Sequence, residues 1–245
     1  EFRLENVSSF YQGSRALLVP NLKIQPGEKI GILGPVGSGK TTLLRVLSGM
    51  YKPQEGRVLL DGIDLAHIDK PLLAQHIGYV QQDGRLFSGT LRDNLILGQV
   101  DPGDEAILEA ARKTGLMQAV ITPHPQGLQR VIYEGGTGLS GGQRQLVNLT
   151  RAILRKPRIW LLDEPTAAMD RNTEAHMTQT LKDTIKQTDT LVLVTHKTEM
   201  LDLVDRLIVV FNHQIALDGP KQDVLRQLHS ARPEAANKST QLRQA

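Results

Sequence analysis

In the first third of the chain, apolar residues fall in short runs bounded by glycine and proline. Glu1–Val7, Glu28–Leu33, Gly56–Leu60 and Ile77–Val80 each read as a strand. The run at 28–33 leads through a glycine-rich turn into Thr41–Gly49, where apolar residues recur at helical spacing and Gly49 supplies the stop. From 83 to 156 the period changes. Helical spacing dominates over 90–97, 104–113 and 141–154, and strand-like runs almost vanish, which predicts a helical subdomain inserted in a sheet. Strands return at 158–162, 190–195 and 206–211, separated by predicted helices at 172–187 and 197–204. Such alternation predicts an α/β fold with a largely parallel sheet covered on both faces. The expected organisation is one unit over 1–228, with a core from 1–82 and 157–228 around the subdomain 83–156. The polar tail 229–245 is expected to be disordered.

Composition narrows the function classes. With 40% hydrophobic and 22% charged residues over 245 positions, the chain can bury a substantial core. Its 29 basic and 26 acidic residues leave a net charge of only +3, so nucleic acid is not the expected partner. No cysteine is present, which removes disulfides and thiolate metal sites, and the seven histidines show no metal spacing. Apolar runs such as Ile159–Leu162 and Leu191–Val194 fall far short of the roughly 20 residues of a membrane helix. The sequence enters a strand at once, without signal peptide or starting methionine, so we expect a piece of a larger polypeptide.

Three segments carry chemistry. Gly34-Pro35-Val36-Gly37-Ser38-Gly39-Lys40-Thr41 fits G-x-x-x-x-G-K-[ST] between a predicted strand and a predicted helix. The pattern alone could be a bland glycine turn. In that context, however, its glycines let backbone N–H groups turn inward around phosphate oxygens, Lys40 reaches the β- and γ-phosphates, and Thr41 offers a hydroxyl to Mg²⁺. Arg158–Glu164 is an apolar strand ending in two acids at the carboxyl edge, where α/β sheets place ligands. Taken alone the pair could cap a helix. Beside a phosphate loop, Asp163 reads as a Mg²⁺ holder and Glu164 as the general base for an attacking water. Leu139-Ser140-Gly141-Gly142-Gln143 opens a further helix with a hydroxyl and glycine amides facing outward, a second anion site in one domain.

These three segments, in this order, resemble the ABC ATPase family, and the resemblance covers about 2–228. It implies a P-loop NTPase with a RecA-like, mostly parallel core, an N-terminal antiparallel β part and the inserted helical subdomain. It implies ATP and Mg²⁺ as ligands, with Gly34, Val36, Gly37, Ser38, Gly39, Lys40, Thr41 and Thr42 on the phosphates. Tyr11 would stack on adenine, Gln82 would contact Mg²⁺ beside Thr41 and Asp163, and His196 would contact the γ-phosphate. Ser140, Gly142 and Gln143, together with Asp170 of the Ala168-Met169-Asp170 loop, would meet nucleotide held by a second copy of the domain. Gln81 stands where proline is common, Lys197 where arginine is common, Tyr133 where glycine is frequent, and Asn148 and Thr150 where alanines are usual.

Leu86–Asn94 and the acidic loop Val131–Gly136, with Glu134 as its acid, are similar to exporter domains. Thr166–Asp170 and Asp205–Val209 are similar to bacterial type I secretion ATPases for large repeat-containing adhesins and toxins. The implied partners are a second copy, an upstream transmembrane domain and, through it, a periplasmic adaptor and outer-membrane channel. The implied place is the cytoplasmic face of the bacterial inner membrane. An ABC ATPase without transport would instead show a long insertion or a duplicated domain. A scaffold that had lost catalysis would show substitution at Glu164 or His196, and both are present.

Overall fold

The structure, a computed structural model, describes residues 1–230. The tail expected at 229–245 lies outside the described residues except for 229 and 230, which close a helical stretch at 221–230. In chain order the strands are β1 (Phe2–Tyr11), β2 (Ser14–Ile24), β3 (Lys29–Leu33), β4 (Glu55–Leu60), β5 (Ile63–Asp64), β6 (Ile77–Val80), β7 (Gly89–Thr90), β8 (Val131–Ile132), β9 (Ile159–Asp163), β10 (Thr190–Val194), β11 (Arg206–Phe211) and β12 (Gln214–Pro220). The helices are α1 (Lys40–Leu47), α2 (Lys70–His76), α3 (Leu91–Ile96), α4 (Asp104–Thr114), α5 (Gly141–Arg155) and α6 (Arg171–Thr184).

Ten strands form one sheet in the order β5-β4-β1-β2-β12-β11-β3-β10-β9-β6. The neighbours from β11 to β6 pair parallel, whereas β1 pairs antiparallel with both β2 and β4. The sheet therefore has a parallel half and an antiparallel wing. Its parallel strands are buried along their length, as β10 shows with every residue from Thr190 to Val194 buried, because helices cover both faces. One core contains α1 with Leu43, Leu44 and Leu47; the other joins Trp160, Leu162 and Leu193 to the α3–α5 helices through Leu91, Ile107 and Leu149.

Some elements differ from the sequence expectation for physical reasons. β2 contains Pro20, which cannot donate to a ladder, and the β1–β2 register lacks a pair at Asn6 and Pro20. Asn6 has φ 51° there, and the ladder resumes in the same register at Val7 and Val19, so the strand survives its proline. The helix expected over 197–204 is a short 3₁₀ segment, Glu199–Leu203. Val204 is already extended, and Asp205 N–H donates to Lys29 O at 2.9 Å, so the sheet recruits the chain before a second turn can form.

The substitutions noted near α5 have partners. The Asn148 amide donates to Gly84 O at 2.9 Å and occupies the space a Cβ at position 84 would need. Thr150 donates to Leu146 O at 2.7 Å and shares a buried 2.7 Å hydroxyl contact with Thr114, which ties α5 to α4. Lys197 donates at 2.7 Å to Glu174, a carboxylate only 3% exposed.

Candidate functional site

Three neighbouring parallel strands deliver the chemical residues to one edge. In register, Ile32 of β3 lies beside Val194 of β10, which lies beside Asp163 of β9. The phosphate-loop sequence, His196 and the acid pair therefore leave the sheet side by side, and β6, paired with β9 through Val80 and Leu162, adds Gln82. Tyr11, Val36, Gly37, Gly39, Lys40, Thr41, Thr42, Gln82, Glu164 and His196 line a cavity of about 850 Å³ there, whereas Gly34, Ser38 and Asp163 are not part of its lining.

Between β3 and α1 the backbone needs glycine. Gly34 has φ 150° and a Cβ there would lie 2.1 Å from Val210 O; Gly39 has φ 108° and its Cβ would lie 2.5 Å from Ala16 O. No side chain caps α1, so its first amides have no internal partner and lie on the cavity. Lys40 is 6% exposed and donates to Gly34 O at 2.8 Å and Pro35 O at 2.7 Å. Burial lowers its pKa, and the nearby Glu164 and Asp163 carboxylates oppose that shift.

Asp163 is 1% exposed and its Oδ1 has no hydrogen-bond partner. Burial raises its pKa, while a hydrogen bond from Thr41 pulls it back. A buried carboxylate oxygen without a partner is costly unless something meets it. That orphan oxygen, with the Thr41 hydroxyl beside it, fits a hard cation. Among the described residues no three His, Asp or Glu side chains cluster to hold a metal by themselves.

Glu164 sits between two polar side chains: His196 Nε2 lies 3.3 Å from Oε1, and Gln82 Nε2 lies 3.5 Å from Oε2. Its backbone is left-handed at φ 47°, pinned by its N–H donating to Val194 O at 2.9 Å. A non-glycine residue pays on the order of 1–2 kcal/mol for that conformation. Tyr11 ends β1, is 65% exposed and lines the cavity.

Ser140, Gly142, Gln143 and Asp170 do not line this cavity. At the start of α5 the Ser140 hydroxyl accepts from Gln143 N–H at 3.2 Å, and the Gln143 side-chain Oε1 accepts from Ser140 N–H at 2.9 Å, a reciprocal cap. The Gln143 amide nitrogen donates to Ala119 O at 2.9 Å. Gly142 packs close to the loop before α6, where a Cβ would lie 3.0 Å from Ala168 O. Asp170 caps α6, accepting from Asn172 N–H, Thr173 N–H and the Thr173 hydroxyl, and these bonds hold its carboxyl below the usual range.

The cavity also takes in residues that sequence reading did not single out. Tyr51 lies on its wall with the Arg45 guanidinium 5.2 Å from its ring centroid and 3.1 Å from its hydroxyl. Arg15 and His213 line it as well, brought there by strand pairing that local sequence does not announce.

The sequence model of the family described as ABC transporter matches residues 18–167. The chain is 39% identical over 214 residues to the ATP-dependent lipid A-core flippase of Chromobacterium violaceum, covering 87% of this chain and 36% of that protein. It is 34% identical over 224 residues to the cyclolysin secretion/processing ATP-binding protein of Bordetella pertussis, covering 91% of this chain and 31% of that one. A solved structure of a bacterial Atm1-family ABC exporter with ATP bound superposes with a TM-score of 0.84 at 31% identity, over 92% of this chain and 39% of the other. The chain thus spans 31% to 39% of the length of these proteins. Among the described residues no helix is long and apolar enough to cross a membrane. A phosphate loop, an orphan acid and a bracketed glutamate on one sheet edge, with a family match across them, lead to one statement: the chain belongs to the ABC transporter family and forms its ATP-hydrolysing domain.

Proposed function

We propose that this domain binds ATP with Mg²⁺, closes on it as a dimer with a second copy, and hydrolyses it to drive an attached transmembrane domain. The carrying observation is Glu164 held between Gln82 and His196 on the cavity that Lys40 enters. Lys40 and the first amides of α1 bind the phosphates. Asp163, Thr41 and Gln82 hold Mg²⁺, which neutralises charge on the phosphate oxygens when bound. Glu164 takes a proton from the attacking water, and His196 orients the γ-phosphate side of that reaction. Ser140, exposed at the N-cap of α5, and the half-buried Gly142 in its first turn close over the nucleotide of the second copy. Residues 83–156 act as the helical subdomain that carries this lid, and 1–82 with 157–228 as the ATP-binding core.

Export is the reading because the similar proteins include a lipid flippase and a secretion ATPase. The finer assignment is type I protein secretion at the cytoplasmic face of a bacterial inner membrane, with a periplasmic adaptor and outer-membrane channel reached through the membrane domain. Glu164→Gln tests the composite site. Hydrolysis should fall at least about 100-fold, and light scattering should find a dimer only when Mg-ATP is present. A variant that stays monomeric at high concentration in saturating Mg-ATP removes the dimer from the reading.

A further inference from the structure

β11 and β12 are joined by two residues, Asn212 and His213, with Phe211 and Gln214 paired across the turn. Both turn residues have positive φ, 46° and 65°. A two-residue hairpin of this kind favours Asn-Gly, so position 213 asks for glycine on geometry alone. The chain carries a histidine there, on the wall of the nucleotide cavity. A side chain kept against backbone preference at a cavity wall invites a functional account.

The imidazole is fixed. Its Nδ1 lies 3.2 Å from Ala16 O, and the His213 carbonyl accepts from Leu18 N–H at 2.7 Å. A carbonyl can only accept, so Nδ1 carries the proton in that bond, and Nε2 of the neutral ring is left as an acceptor. Ala16 O also marks the place along the cavity, because it lies 2.5 Å from where a Cβ on Gly39 would stand. His213 is therefore tied beside the last glycine before α1, and it lines the same cavity as Arg15 and Tyr11. A nucleotide with phosphates on the amides of α1 and its base at Tyr11 must lay its ribose along that span. Ribose hydroxyls are the neutral donors in that part of the molecule, and an Nε2 acceptor matches them.

We infer that His213 accepts a hydrogen bond from a ribose hydroxyl and makes the site prefer ribonucleotides over deoxyribonucleotides. The inference rests on the proposed nucleotide site. Calorimetric titration of the chain with ADP, 2′-deoxy-ADP and 3′-deoxy-ADP tests it without turnover, on the unsubstituted protein, His213→Gly and His213→Asn. The unsubstituted protein should prefer ADP over one deoxy form by about fivefold, the worth of one ordinary hydrogen bond. His213→Gly should bind all three ligands equally, with its loss confined to ADP and the other hydroxyl-bearing form. His213→Asn tolerates the left-handed backbone and guards against a misfolded turn; it should lose the preference too if its shorter side chain falls short of the sugar. Equal affinities in the unsubstituted protein, or a preference that survives in His213→Gly, overturn the role. Absence of any ADP binding by the unsubstituted protein overturns the nucleotide site itself.

Discussion

At the start of α1 the chain leaves its backbone donors uncapped, whereas at the start of α5 it spends two of its polar groups on itself. Gly39 gives α1 no side-chain cap and Lys40 is folded into the cavity. Ser140 and Gln143 close a reciprocal cap on α5, and Gln143 is further tied to Ala119. Two helix starts with the same backbone donors are thus finished differently within one domain. The first opens on the cavity, with the buried Lys40 and the Glu164 carboxylate beside it. The second is a self-capped helix end away from the cavity, and in the proposed dimer it would meet phosphate held by the other copy.

The largest effect that would break this comparison is at Lys40. Lys40→Ala should weaken ATP binding about 30-fold, since a charge-assisted hydrogen bond is worth about 2 kcal/mol; titration with a fluorescent ATP analogue measures it, and unchanged affinity would remove the cradle reading. Tyr11→Ala should weaken the same binding by about 1 kcal/mol through lost stacking, while Tyr11→Phe stays near the unsubstituted value. If the two Tyr11 variants behave alike, the ring is not the base platform. The smallest effect sharpens the contrast. Ser140→Ala removes a cap and should cost between about 0.5 and 1 kcal/mol of stability in urea unfolding, yet leave nucleotide affinity of dilute monomer unchanged. A loss of monomer affinity there would mean that the second helix end already belongs to the first site.

How much of this was legible depends on where the information resides. The phosphate loop could be read because its pattern fixes residue types at set spacing within one strand-loop-helix unit, and the structure places Val36, Gly37 and Gly39 to Thr42 on the cavity. The acid pair was legible for the same reason. The antiparallel wing was harder: β2 carries Pro20, and β12 alternates exposed and half-buried positions without a strong apolar face. Ser140-x-x-Gln143 fits two uses, an outward anion site and a capping box, and the sequence pattern does not separate them. Tyr51 and His213 could not be found from local pattern at all, since tertiary packing and the meeting of β12 with β2 decide that they border the cavity.

The left-handed backbone of Glu164 has an evolutionary consequence. It precedes Pro165, which restricts it further, and its carboxylate lies between His196 and Gln82. A lineage relieved of the need to hydrolyse ATP would gain stability by replacing it, with glycine or asparagine as the easiest replacements. Paralogues that have turned into regulators should therefore diverge at this position early, before the surrounding strand changes, and a survey of duplicated copies within single genomes should find the substitution ahead of losses at Lys40.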